Sequence, residues 1–176
     1  GAFPAIEMML TRHELLIGAV VECMFKFKSP QVIRAACSFF RNLSLDNYYR
    51  FTICNLGGIG RVIDALRDFT NDETTSCKAI MALTNLISGC DIEILCSNNV
   101  ANNILETMTV FKEDLLIQVN GADAIWHLAS RDDSFKDILV EIGSVQHLSA
   151  AMHRFIISEQ MTKVGILSLW SLSVPQ

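Results

Sequence analysis

Apolar residues recur along the chain at intervals of three and four, the spacing that lines one face of an α-helix. In the segment 31–43, Val32, Ala36, Phe39, Phe40 and Leu43 fall on the inward side, and Ser29-Pro30 in front supplies an N-cap and a proline at the first helical position. The same pattern predicts helices over 47–54, 59–67, 75–87, 91–97, 99–110, 113–130, 133–142, 143–154 and 157–172, with Gly, Asn and Asp in the turns. Ahead of them, 1–17 and 18–28 read as two helices, Gly18 allowing a change of direction and Val20, Val21, Met24 and Phe27 turning inward. No stretch alternates apolar and polar residues between hairpin turns, so no strands are expected. The chain reads as all-α.

The helices come in a recurring order. Asn42, Asn85, His127 and Ser171 each close a long apolar helix, at separations of 43, 42 and 44 residues. Gly57, Asn99 and Gly143 each open a middle helix, and each stands 28 residues before the next closing residue. Two independent markers with one period define an internal repeat of about four units, approximately 1–44, 45–89, 90–131 and 132–173. One such unit cannot bury its apolar face alone, so neighbours must stack into a single solenoid with a continuous core.

The wording of the units resembles the armadillo repeat. MALTNL (81–86) and SFFRNL (38–43) match the family's close to its third helix, while AIWHLA (124–129) and SLWSLS (168–173) keep the apolar positions and replace the Asn. EIGSVQHLSAAM (141–152) and GGIGRVIDAL (57–66) are similar to the family's opening of helix two. The resemblance runs from about Arg12 onward. HEAT repeats are the nearest competitor, but they usually have two helices per unit and lack the short Gly-led first helix. The resemblance implies a right-handed superhelix of three-helix units whose third helices line a concave groove and grip an extended partner segment.

Residues four apart share a helix face. The groove rungs implied by the resemblance are Arg34/Ser38/Asn42, Cys77/Met81/Asn85, Val119/Asp123/His127 and Lys163/Leu167/Ser171. In nuclear-import adaptors of the family the middle rung is Trp. Here it is Ser38, Met81, Asp123 and Leu167, so the lysine-stacking ladder is missing and nuclear-localisation-signal binding is not implied. The amides of Asn42 and Asn85 suit either a partner's backbone or a bridge to backbone of the neighbouring repeat. Asp123, mid-helix among apolar residues, must be solvated, paired with His127 or set against a partner. Trp126 and Trp170, where the first two units have Arg41 and Thr84, read either as partner anchors or as packing between third helices. Arg34 and Arg41 at one end, with Asp123, Trp126 and Trp170 at the other, suggest a groove graded from basic to acidic-aromatic.

Composition narrows the partners. Half the residues are apolar (51%), ample for a core, and the net charge of −5 is spread through both signs, which argues against a nucleic-acid groove. No uncharged apolar run approaches the roughly 18 residues of a membrane span, and no signal-peptide pattern is present; with no initiator Met, the chain reads as part of something larger. Cys23, Cys37, Cys54, Cys77, Cys90 and Cys96 form no C-x-x-C pair, and His13, His127, His147 and His153 supply no zinc spacing; six reduced thiols in a cytoplasmic or nuclear protein are expected. GGIG at 57–60 joins two helices rather than leaving a strand, and no catalytic motif stands out, so neither an enzyme nor a cofactor is expected. The last helix is apolar around most of its circumference and calls for cover by further repeats or by a second copy, making a homodimer through an uncapped end a consequence. The expectation is a protein-binding scaffold taking an extended or helical segment; the alternative is a structural module whose groove or open end is filled by its own kind.

Overall fold

The computed structural model describes the backbone of residues 3–174 and side chains from residue 12 onward. The regular structure among the described residues is eleven helices: α1 (Phe3–Lys26), α2 (Pro30–Leu43), α3 (Asn47–Asn55), α4 (Gly58–Asp68), α5 (Glu73–Ile87), α6 (Ile92–Ser97), α7 (Val100–Val110), α8 (Leu115–Ala129), α9 (Asp133–Glu141), α10 (Ser144–Arg154) and α11 (Glu159–Ser173). After α1 and α2 they run in triplets of short, middle and long helix.

Each long helix begins at a side-chain cap. Ser29, Asp72, Asp114 and Ser158 accept from the backbone N–H of Val32, Thr75, Ile117 and Met161 respectively, satisfying one of the donors a helix start leaves open. The middle helices begin differently. Gly57 (φ 80°), Asn99 (φ 52°) and Gly143 (φ 90°) occupy the left-handed region just before α4, α7 and α10. Only Gly, and at some cost Asn, adopts that conformation readily, which is why the second sequence marker is drawn from these two residues.

The long helices α2, α5, α8 and α11 pack on one another in series, and the middle helices pack against them. Between them lies one core, built from residues such as Phe40, Ile53, Ile63, Leu83, Leu86, Ile104, Ile125 and Phe135, all essentially inaccessible. Close approach is bought by small residues: a Cβ on Gly121 or Gly165 would stand 2.5 or 2.4 Å from the side chain of Met108 or Met152.

Three expectations are corrected. Gly18 does not turn the chain: α1 is one unbroken helix, as a single Gly is tolerated at about 1 kcal/mol against Ala. Residues 1–2 of the expected first helix, and all side chains before residue 12, lie outside the described residues. Phe27 is 48% exposed, just past the helix end, while Met24 is buried as expected, Val20 and Val21 pack against the core, and Ile17 joins them on the inward face. In α2 the buried stripe is Ile33, Ala36, Cys37 and Phe40, with Val32, Phe39 and Leu43 only half-buried, a rotation of the expected face. The third correction is covalent. Cys54, near the end of α3, and Cys90, just past α5, form a disulfide with Cα atoms 5.4 Å apart, so two of the six expected thiols are not thiols. They are 36 residues apart in sequence, and only the packing of α3 on α5 brings them together. An argument for a reducing compartment based on six thiols loses that footing.

Candidate functional site

Counted from their caps, the four long helices present equivalent residues at equivalent steps. Nine residues in, Ser38, Met81, Asp123 and Leu167 are all half-buried, forming a stripe across the four helices. Thirteen residues in, Asn42 is exposed, Asn85 and His127 are half-buried, and Ser171 is buried, its hydroxyl 3.1 Å from that of Ser130. Ser171 therefore leaves the predicted surface. So does Val119, only 3% exposed, an aliphatic side chain drawn into the core.

The predicted residues divide into engaged and available. Arg34 is engaged: its Nε donates to Thr75 Oγ1 at 2.8 Å, and one terminal nitrogen donates to both carboxylate oxygens of Asp72 at 2.8 and 2.7 Å. It thus clamps the cap of the next long helix, and Asp72 is held below the usual carboxylate range, first by the Thr75 N–H and then by Arg34. Asn85 is partly engaged, its amide donating to the Arg41 carbonyl at 3.1 Å across the α2–α5 joint. That is the bridge to a neighbouring repeat, and it leaves the amide oxygen uncommitted.

Towards the other end the groups are less committed. Asp123 and His127 approach to 3.9 Å, an ion-pair distance but too long for a hydrogen bond, with each side chain about one-third exposed. Burial pushes the Asp123 carboxyl above its ordinary value, against the smaller opposing pull of His127 and Lys163. The Trp126 ring stacks on His127 with centroids 4.9 Å apart. Arg41 and Lys163 are exposed, and Trp170 is 61% exposed. Between the two ends, Cys77 Sγ lies 3.9 Å from Met81 Sδ, a soft, adaptable spot. Beside it burial raises the Cys77 thiol above its usual range, with the carboxylate of Asp114 adding to the effect.

Several inter-repeat ties could not be read from the sequence. Thr84, one step before Asn85, is buried, and its one hydroxyl hydrogen lies within reach of the carbonyls of both Ile80 and Asn120 on α8, as that of Ser168 does for Val164 and Ala122. Arg50 bonds the Ser44 carbonyl and the Ser88 hydroxyl, and Arg131 bonds the carbonyls of Ser88 and Cys90. The only sequence signal was a basic residue a few positions beyond a predicted helix end, where open carbonyls attract cations. No helix among the described residues is long and apolar enough to cross a membrane.

No family model and no curated protein matches the chain. Solved structures do. A designed armadillo repeat protein, YIII(Dq)4CqI, superposes with a TM-score of 0.77 at 18% identity, over 89% of this chain and 64% of that one. A second, YIII(Dq.V1)4CPAF, in complex with the peptide (KR)4, gives 0.76 at 18% identity, over 88% and 63%. An engineered protein, target OR366, gives 0.78 at 18% identity over 89% and 63%. The chain thus spans under two-thirds of the length of these neighbours. At this identity the likeness speaks to architecture, and it agrees with the repeat period, the capped long helices and the left-handed starts of the middle helices. In fold, the chain is an all-α armadillo-repeat solenoid.

Proposed function

We propose that this solenoid is a non-enzymatic scaffold that binds an extended or helical segment of another protein along the face of its long helices. The observation that carries the reading is the half-buried stripe Ser38, Met81, Asp123 and Leu167, flanked by groups with hydrogen-bonding capacity to spare. The designed neighbour solved with a peptide supports the same use of the fold. In this reading Arg41, Asn42 and the Asn85 amide oxygen meet the partner at one end. Asp123, His127 and Lys163 supply charge at the other, with Trp126 and Trp170 as anchors. Arg34 positions the groove wall rather than touching the partner, because its guanidinium is committed to Asp72 and Thr75. A net charge of −5 disfavours nucleic acid as the partner.

The test is a peptide display selection on the intact chain, followed by titration of an enriched peptide. Asp123→Lys combined with Trp126→Ala should weaken binding about tenfold or more while the variant keeps its helical circular-dichroism spectrum and still melts cooperatively. A selection that enriches nothing, or an affinity indifferent to both substitutions, would overturn the proposal.

One observation favours a second reading, self-association through the open end of α11. Eight residues past the caps, Cys37, Ile80 and Ala122 are completely covered by the following helix, whereas Ile166 at the same step is 55% exposed beside Trp170. A second copy would cover both. Light scattering should then show a concentration-dependent dimer that Ile166→Glu abolishes; a monomer at every concentration removes this reading.

A further inference from the structure

A separate cavity of about 670 Å³ lies on the middle-helix side, between α4 and α7 and round α7 towards α10. Its volume is within the range of about 300–1,000 Å³ typical of ligand sites. The floor is apolar, from Leu66, Leu105, Phe111 and Ile142. The walls carry Arg67, Thr109 and His147, each held by a hydrogen bond, and Glu106, which is not.

Arg67 donates through Nε to Asn103 Oδ1 at 3.0 Å. Asn103 is only 4% exposed, and its own amide is anchored on the carbonyls of Asn98 and Asn99. One terminal nitrogen of Arg67 reaches the Asn98 carbonyl at 3.3 Å; the other makes no bond among the described residues. Glu106, on the next turn of α7 after Asn103, also lines the cavity and has no hydrogen bond or ion pair among the described residues. Two opposite charges therefore share one cavity without pairing. On the α10 side, Thr109 gives its only hydroxyl hydrogen to the Leu105 carbonyl at 2.7 Å. Its oxygen is then free to accept from His147 Nε2, also 2.7 Å away, when the ring carries a proton there.

An uncommitted donor and an uncommitted acceptor above an apolar floor complement a peptide unit carrying one large apolar side chain. The peptide carbonyl accepts from Arg67, the N–H donates to the Glu106 carboxylate, and the side chain fills the floor. A bare amine or carboxylate would satisfy one charge and face the other. We propose that this cavity is a second peptide-binding site, independent of the long-helix groove, specific for a short segment anchored by a single leucine- or phenylalanine-sized side chain.

The test titrates N-acetyl-L-phenylalaninamide into the isotope-labelled chain and follows its amide spectrum. Saturable shifts at Leu66, Leu105 and Thr109, with Asp123 and Trp126 unmoved, are expected, whereas N-acetylglycinamide should produce none. Glu106→Ala and Arg67→Ala should each weaken binding about three- to tenfold, the worth of one hydrogen bond. Glu106 is an exposed helix residue, so its variant keeps the test valid even if Arg67→Ala disturbs the fold. No saturable shift up to the probe's solubility limit, shifts confined to the groove, or an affinity unchanged by Glu106→Ala would each overturn the site. The groove is read separately, at Asp123 and Trp126, so failure of this site leaves the groove proposal standing.

Discussion

The joint between α2 and α5 and the joint between α8 and α11 are the same contact built twice, in different materials. The first is held by charge: Arg34 on Asp72, Asn85 on a backbone carbonyl and, at its outer edge, Lys28 on Asp68 at 2.8 Å. The nearby Cys54–Cys90 bond adds a covalent tie. The second has an outer-edge ion pair of its own, Arg154 on Glu113 at 3.3 Å, but inside it relies on hydroxyls, Ser168 on the Ala122 carbonyl and Ser130 with Ser171. The difference teaches where recognition can reside. Side chains that clamp one repeat to the next are unavailable to a partner, so the strongly tied end keeps few uncommitted groups and the lightly tied end keeps Asp123, His127, Lys163 and Trp170.

The sharpest way to break this contrast is to cut the covalent tie. Closing a loop of 36 residues removes denatured-state entropy worth about 3–4 kcal/mol, so the Cys54→Ala, Cys90→Ala double variant should melt well below the parent in calorimetry. An unchanged melting temperature would show that the two ends are tied alike. Next comes a pair of equivalent positions, Gly58 and Ser144, each the first residue of a middle helix. A Cβ on Gly58 would sit 2.5 Å from the Ile53 side chain and 2.8 Å from its carbonyl oxygen, so Gly58→Ala should cost about 1–3 kcal/mol. Ser144 already carries a side chain there, and its buried hydroxyl has no partner among the described residues. Ser144→Ala should therefore stabilise by roughly 1 kcal/mol, read from urea midpoints.

The smallest effects should be electrostatic, and of opposite sign at the two ends. Asp72 has its carboxyl held low in the fold, so its contribution is present above the unfolded group's pKa and is lost as pH falls through the folded value. Asp72→Asn should lower the melting temperature at pH 7, by an amount that vanishes in acid. Asp123 has its carboxyl raised by burial, so its ionised form weighs against the fold at neutral pH and ceases to do so once protonated. Asp123→Asn should raise the melting temperature at pH 7, with no gain in acid. Melting both variants from pH 7 to pH 3 decides whether the ends differ as described.

Much of the architecture was legible in the sequence because repetition makes weak signals add. The period and the special residues at Gly57, Asn99 and Gly143 recur, and each recurrence tests the others. Gly18 occurs once in its segment, with nothing to test it against, and reading it as a break was wrong. The groove was legible only in part. The resemblance put Ser38, Met81, Asp123 and Leu167 at one step of the four helices, but neither it nor spacing can say whether Arg34 faces a partner or the next cap, because that depends on Asp72 arriving from 38 residues away. Val119 and Ser171 slipped inside for a related reason: short or aliphatic side chains at a helix edge follow local packing. The cavity around Glu106 left no sequence trace, since it is a gap between helices and not a pattern along any one of them.

The bridge from Cys54 to Cys90 also changes how the molecule answers a pull at its two ends. Force passes through the sulfurs and bypasses the intervening chain, whose 36-residue span would add about 120 Å if stretched out. Held under load, the oxidised solenoid should extend to a shorter limit than the reduced one, with α4 and α5 shielded inside a loop that tension never reaches.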